Sequence, residues 1–315
     1  MLLETPDWSA RHHYFWHSNP RSKDRAKAIY EKTHVRVLVD WAFQIIKSPQ
    51  ADPADRARAR EILDTLHFNI GSANMASGVA AQLATDMVLV PDKEGKTTSV
   101  EEAKQAAIDK LKAYRPISWD NGTDEIKKSK YLEELPLVID NAIAGLREAM
   151  ARENRILGEI ALMDTLPGNA LPHNTRPDYV RRGDLKTKWS KPAKTKSGWS
   201  SVSAPKKLSG MWEMNSVYQA AGFWALNGHQ PPFILYASTT DYVLFTPDNA
   251  PELRDDFLAD VVQDIQHYHK TTENILRAAS TKDELLGMVS PDWSLLCWNE
   301  SPAYLDEAKR TWGLI

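Results

Sequence analysis

Over residues 21–47 and 54–67, apolar side chains recur at three- and four-residue spacing, the period of a helix with one buried face. The segment Ser48-Pro-Gln-Ala-Asp-Pro53 breaks the pattern between them. A further helix is expected over 99–114, entered through Ser99-x-x-Glu102, a pairing in which each side chain can cap a free backbone N–H. A longer helical pattern runs over 127–154, with 135–150 as its apolar half. Residues 156–166 read as a strand closed by Pro167-Gly168. Residues 211–228 return to the helical period, with Met214, Val217, Ala221, Trp224 and Ala225 on one face. Two short β-rich runs follow, 233–237 and 242–245, split by Ser238-Thr-Thr-Asp241, and helices are expected over 251–280 and 282–289. No internal repeat is visible.

The stretch 176–188, Arg-Pro-Asp-Tyr-Val-Arg-Arg-Gly-Asp-Leu-Lys-Thr-Lys, interrupts this regular pattern with chemistry. It reads as a tight hairpin. Asp178 ends an extended run, Arg181-Arg182-Gly183 supplies the turn, and Asp184-Leu185-Lys186 begins the returning strand. Side chains alternate along a strand, so Asp184 and Lys186 face the same side. Asp178 and Asp184 with the backbone carbonyl of Leu185 offer hard oxygen ligands suited to Mg²⁺ or Mn²⁺, and a neighbouring ammonium can orient an attacking water.

The order helix, strand, hairpin strands, helix, strand, strand, helix, with Pro177-Asp178, Asp184-Leu185-Lys186 and Gln219 one turn before Phe223, resembles the PD-(D/E)XK nuclease superfamily. Within it, the resemblance is to RecB-type nuclease domains and phage lambda-type exonucleases, and it covers roughly residues 65–280. It implies an α/β (α+β) fold with a restriction-endonuclease-like core: a central mixed β-sheet flanked by helices, preceded by a helical N-terminal region over 1–64 and followed by a helical tail over 281–315. It also implies Asp178 and Asp184 as metal ligands, Lys186 serving the nucleophilic water, and Gln219 supporting the lysine or the DNA end. The family commonly has tyrosine where this chain has Phe223, which leaves no phenolic hydroxyl for that role. A family helix of pattern Gly-x-x-x-His-x-x-x-Glu is matched most nearly by Gly78-Val-Ala-Ala-Gln82-Leu-Ala-Thr-Asp86, which differs at both polar positions. Its one-turn spacing places Gln82 and Asp86 on one face. Glu159, on the strand before the hairpin, is a second metal-side candidate that could equally face solvent.

The 315 residues, 42% of them hydrophobic, suffice for one large core with an added lobe, and the formal charge of −3 argues against a surface coated with DNA-binding groups. The distribution matters more. From 181 to 207 nine basic residues (Arg181, Arg182, Lys186, Lys188, Lys191, Lys194, Lys196, Lys206, Lys207) stand against Asp184, a local balance of 9 − 1 = +8. Residues 189–210, rich in Ser, Lys, Pro and Gly, read as a loop beside the site. Arg176, Arg181, Arg182, Lys188, Lys191, Lys194 and Lys196, with Gln82, are the expected DNA contacts, and Trp189, Trp199 and Trp212 are candidates to stack on frayed bases, with a core position at the start of a helix as the alternative for Trp212. The single Cys297 excludes an intrachain disulfide and a Cys₄ iron-sulfur cluster, so none is expected. Neither a Walker loop nor GxGxxG occurs. No apolar run reaches membrane-span length and the N-terminus lacks signal-peptide features, which makes the cytoplasm, or a host's cytoplasm for a phage protein, the expected location.

His12, His13 and His17 read as packing or a partner-facing arm rather than a metal cluster, and His267 and His269 diverge on a helix. The expected activity is Mg²⁺-dependent DNA exonuclease action of the phage recombination or replication type. An endonuclease of the same fold for restriction, repair or host-DNA breakdown is the alternative, and a non-catalytic DNA-binding protein a further one. By resemblance, partners are DNA and a single-strand annealing or binding protein, and lambda-type end trimming would imply a ring-shaped homo-oligomer.

Overall fold

The computed structural model describes residues 73–114, 123–193, 198–210 and 213–281, with scattered positions between 45 and 59 and between 284 and 314. The chain divides into two compact units. One comprises 71–162 and 175–262; the other includes, among the described residues, 163–174 and 263–281. The region from 65 to 280 is thus not one compact body, because 163–174 and the end of the last long helix cluster separately.

The first unit opens with α1 (Ala73–Leu89), α2 (Val100–Ala113) and α3 (Thr123–Ala149). Ser77, Ala80, Ala81, Ala84 and Val88 are buried on α1, and these small side chains let it lie close against α2 and α3. Ser99 caps α2 with the expected capping box, its side chain accepting from Glu102 N while Glu102 answers the Ser99 backbone. Tyr131, Leu135, Val138, Ile139, Ala142, Ile143 and Leu146 form the buried stripe of α3 at three- and four-residue spacing.

β1 (Leu162–Thr165) and β2 (Pro172–Thr175) pair with each other, and β4 (Lys191–Pro192) pairs with β5 (Trp199–Ser200). The sheet that bears on the site is built from β3 (Gly183–Thr187), β6 (Phe233–Ala237) and β7 (Tyr242–Phe245) in the order β3-β6-β7. β3 runs parallel to β6, with Asp184 opposite Ile234 and Lys186 opposite Tyr236, and α4 (Met214–Leu226) makes the crossover between them. β7 is antiparallel to β6. All five residues of β6 are buried, as suits a strand covered on both faces. On one face α3 presses so close that a Cβ at Gly145 would stand 2.4 Å from Leu235 Cδ1. On the other, Ser216 of α4 hydrogen-bonds Tyr236 through their hydroxyls at 2.9 Å.

In the second unit, the 163–174 segment meets the later turns of α5 (Asp255–Ala278). Asn169 Nδ2 donates to Gln266 O (3.1 Å) and Gln266 Nε2 donates to Pro167 O (3.0 Å). The short helix at Pro251–Leu253 precedes α5.

The mixed α/β character and the elements between 211 and 280 are as the sequence indicates. The strand expected over 156–166 is regular only at Leu162–Thr165, and it joins β2 instead of the central sheet. Most of each helix expected over 21–47, 54–67 and 282–289 lies outside the described residues, though 45, 53–57, 59, 284 and 288 are helical. No helix among the described residues is long and apolar enough to cross a membrane.

Candidate active site

The expected hairpin is a bridged turn. Asp178 N donates to Gly183 O (2.8 Å) and Gly183 N to Tyr179 O (2.8 Å), which closes the chain on itself. The arm before the turn is not a strand, because Pro177 has no N–H to donate and the Asp178 side chain occupies the free edge of β3 instead. Asp178 Oδ2 accepts from Leu185 N at 2.8 Å, a group that a pairing strand would otherwise satisfy. The N–H and C=O of one strand residue point to the same edge, which turns the Leu185 carbonyl toward Asp178 as well.

The turn also differs in which residues bend it. Val180 (φ 44) and Arg181 (φ 62) hold the left-handed region, uncommon for any residue with a Cβ and most of all for a branched one. Gly183 has another task. A Cβ there would lie 2.0 Å from Phe233 Cζ, so glycine is required for β3 to close on β6.

Asp184 and Lys186 share a face of β3, as alternation demands, with Lys186 Nζ 2.8 Å from Asp184 Oδ2. The same ammonium donates to Gln219 Oε1 on α4 at 2.7 Å. Asp184 is buried and Asp178 half-buried. Burial first, and then the neighbouring Asp184 charge, push the Asp178 carboxyl well above the ordinary carboxylate range.

From α1, Gln82 Nε2 donates to Asp178 Oδ1 at 3.3 Å, and Asp86 lies one turn further along. Burial raises the Asp86 carboxyl to about 6, the Tyr179 hydroxyl opposes that rise, and the Glu159 charge adds to it. Asp86 Oδ1 is buried without a hydrogen-bond partner among the described groups. Tyr179 OH stands 2.6 Å from Thr85 Oγ1, and burial with the nearby Asp86 charge pushes this phenol well above its usual range. Glu159 is exposed, lies outside any strand and pairs with Arg176 (3.6 Å).

Asp178, Asp184, Lys186, Gln219 and Gln82 are thus linked by direct contacts, and Asp86 joins them through Tyr179. Neither Tyr179 nor Thr85 was singled out in the sequence. Each directly adjoins a candidate acid, and only the packing of α1 on the turn couples them.

The basic residues are placed less uniformly. Arg182 donates to Glu153 Oε1 (2.6 Å) and Pro231 O (2.8 Å) with its guanidinium over the Phe233 ring, so it braces the turn. Lys188 pairs with Glu213 (3.5 Å) above the Tyr236 ring, and Arg181 and Lys191 are exposed. Lys194 and Lys196 lie outside the described residues, as do Trp212 and His12, His13 and His17. Trp189 and Trp199 do not stand ready to stack on bases. Trp189 is 6% exposed and packs on Tyr131 at 5.2 Å, and half-buried Trp199 sets its ring 6.3 Å from the same tyrosine. His269 is buried beside His173 (3.2 Å between ring nitrogens) while His267 is not, as their divergence on a helix requires.

Among the described residues no three His, Cys, Asp or Glu side chains form a ready cation cage. The donors nonetheless suit one kind of ion. Mg²⁺ keeps several waters and binds through one or two carboxylates plus substrate phosphate. Two adjoining carboxylates, Asp178 and Asp184, meet that requirement. No protein-family model matches the chain, and neither a curated protein nor a solved structure is significantly similar to it.

Proposed function

We propose that this chain is a Mg²⁺- or Mn²⁺-dependent deoxyribonuclease of PD-(D/E)XK type that hydrolyses phosphodiester bonds at DNA ends. The observation that carries this reading is the bridging of Lys186 Nζ between Asp184 Oδ2 (2.8 Å) and Gln219 Oε1 (2.7 Å), with Asp178 coupled to Asp184. A structural salt bridge needs no second carboxylate beside it and no amide anchor from another element.

Asp178 and Asp184 would hold the cation, with the Leu185 carbonyl at the same edge. When bound, the cation would supply charge stabilisation to the phosphate oxygens and a more acidic water. Lys186, fixed by Gln219, orients the attacking water with its remaining donors and meets charge developing on the phosphate. Gln82, donating to Asp178, holds that carboxylate's second oxygen in place. Burial of Asp184 strengthens each of these contacts by excluding bulk water.

The test is digestion of end-labelled linear duplex, linear single strand and closed circular DNA in Mg²⁺, Mn²⁺ or EDTA. Metal-dependent loss of the linear forms with the circle spared is the expected result. Cutting of the circle would replace the exonuclease by an endonuclease of the same fold. A wild-type protein that binds DNA and cuts none of the three would leave the non-catalytic alternative.

A further inference from the structure

β3 does not stop contributing at Lys186. Its last residue, Thr187, and the next, Lys188, line a cavity of about 580 Å³, within the range of small-molecule sites. Lys188 lies two positions beyond Lys186 and so on the same side of the extended chain, about 7 Å further along. Lys191 adds a second ammonium to the lining and Glu213 one carboxylate, for a net charge of 2 − 1 = +1. Glu213 Oε1 orients Lys188 from 3.5 Å, and the Tyr236 ring lies under the same ammonium at 4.9 Å. Val202, Pro205 and Trp189 give the cavity an apolar wall, and Asn74 and Ser203 add uncharged hydrogen-bonding groups.

We propose that this cavity is a nucleotide subsite, holding the nucleotide next to the scissile phosphate. Lys188 and Lys191 take its phosphate, the apolar wall of Val202 and Pro205 receives its base, and Asn74 and Ser203 meet the base edge or sugar. The chemistry is that of a nucleoside monophosphate. A net charge of +1 suits one phosphate group, an apolar wall suits a base, and the two lysines disfavour a cation. The inference rests on the nuclease reading only in assigning the nucleotide to a strand under cleavage.

Titration calorimetry of the full chain with 5′-dTMP and 5′-dGMP in EDTA tests the cavity without any cleavage, with inorganic phosphate and thymidine as fragments. Ser203 and Lys191 are exposed, so Ser203→Trp, which fills the cavity, and Lys191→Ala are compatible with folding, to be verified by circular dichroism. The wild type is expected to bind the mononucleotides more tightly than either fragment. Each variant should lose about tenfold or more in affinity, the size of a lost charge-assisted contact or of blocked entry. Equal affinity of wild type and Ser203→Trp, phosphate binding as tight as dTMP, or no binding of dTMP by the wild type would each overturn the subsite. Cleavage is read separately: Ser203→Trp should raise KM for a short oligonucleotide, and an unchanged KM counts against the subsite. Nucleotide binding without any DNA cleavage would remove the nuclease reading while leaving the cavity assigned.

Discussion

Glu273, in the unit that holds the later turns of α5, and Asp178, in the unit that holds β3, are both withdrawn from water, but their oxygens are answered differently. Glu273 is fully buried, and its Oε1 accepts from Ala170 N (2.6 Å) and Leu171 N (3.1 Å), while Lys270 (3.5 Å) and Arg277 (3.8 Å) approach Oε2. Its role is to tie a loop to a helix. Asp178 also takes one backbone N–H, but the largest charge effect on it comes from another carboxylate, Asp184, and Asp86 close by keeps a buried oxygen unanswered. A fold that needed only stability would not hold acids in this way, because each uncompensated buried charge costs several kcal/mol. Under the proposed activity, the contrast is between an acid kept for packing and acids kept for chemistry.

Exchanging the roles gives the largest expected effects. Lys186→Ala and Asp184→Asn should lower single-turnover cleavage by at least about 10⁴-fold, about 5 kcal/mol of barrier, with DNA binding largely kept. Normal turnover by either variant would remove the β3 site. Glu273→Leu should leave cleavage chemistry alone where folding is retained, yet cost about 3–5 kcal/mol in urea unfolding, since two backbone N–H groups and two cations lose their shared partner. An unchanged midpoint would show that Glu273 does not hold its loop.

The two regions should also respond to acid in opposite senses. Burial holds the His269 imidazole down to about 4, against an ordinary 6.5, while Leu171 and the Glu273 charge oppose the shift. The unfolded chain therefore takes up a proton first as pH falls. The stability contributed by neutral His269 is complete above pH 6.5 and is lost toward pH 4, at most about 3 kcal/mol. His269→Gln should flatten that slope in stability measured against pH. Asp86, raised to about 6 from 3.8, has the reverse sign: its charged form destabilises the fold, fully so above pH 6 and not at all below 3.8. Asp86→Asn should accordingly stabilise the protein at pH 7.5 by about 1–2 kcal/mol once partial exposure is discounted, and lose that gain in acid. A destabilised Asp86→Asn would mean that the carboxylate is satisfied by contacts the fold provides.

Much of the fold was legible because it is written in local periods. The stripe of α3, the capping box at Ser99, the helical period of α4 and both short strands at 233–237 and 242–245 depend on spacing and on neighbours within a turn or two. The alternation that puts Asp184 and Lys186 on one side of β3 is of the same kind. The pairing of 162–165 with 172–175, and the separate clustering of 163–174, were not legible, since partner choice between strands depends on long-range packing that no local pattern encodes.

The same division runs through the site. Sequence by itself determined which groups are present and which faces they share: two acids and a lysine around a turn, Gln82 and Asp86 one helical turn apart, and Gln219 in the middle of a helix. Only the tertiary structure decided that α1 lies against the turn so that Gln82 reaches Asp178, that Tyr179 is buried beside Asp86, that Arg182 braces the turn through Glu153 and Pro231, and that Trp189 belongs to the core. The physical reason is range. Periodicity fixes the direction of a side chain relative to its own backbone, whereas burial, desolvation and the pairing of charges arise only when segments distant in the chain, here 78–86, 178–186 and 219, are packed into one low-dielectric volume.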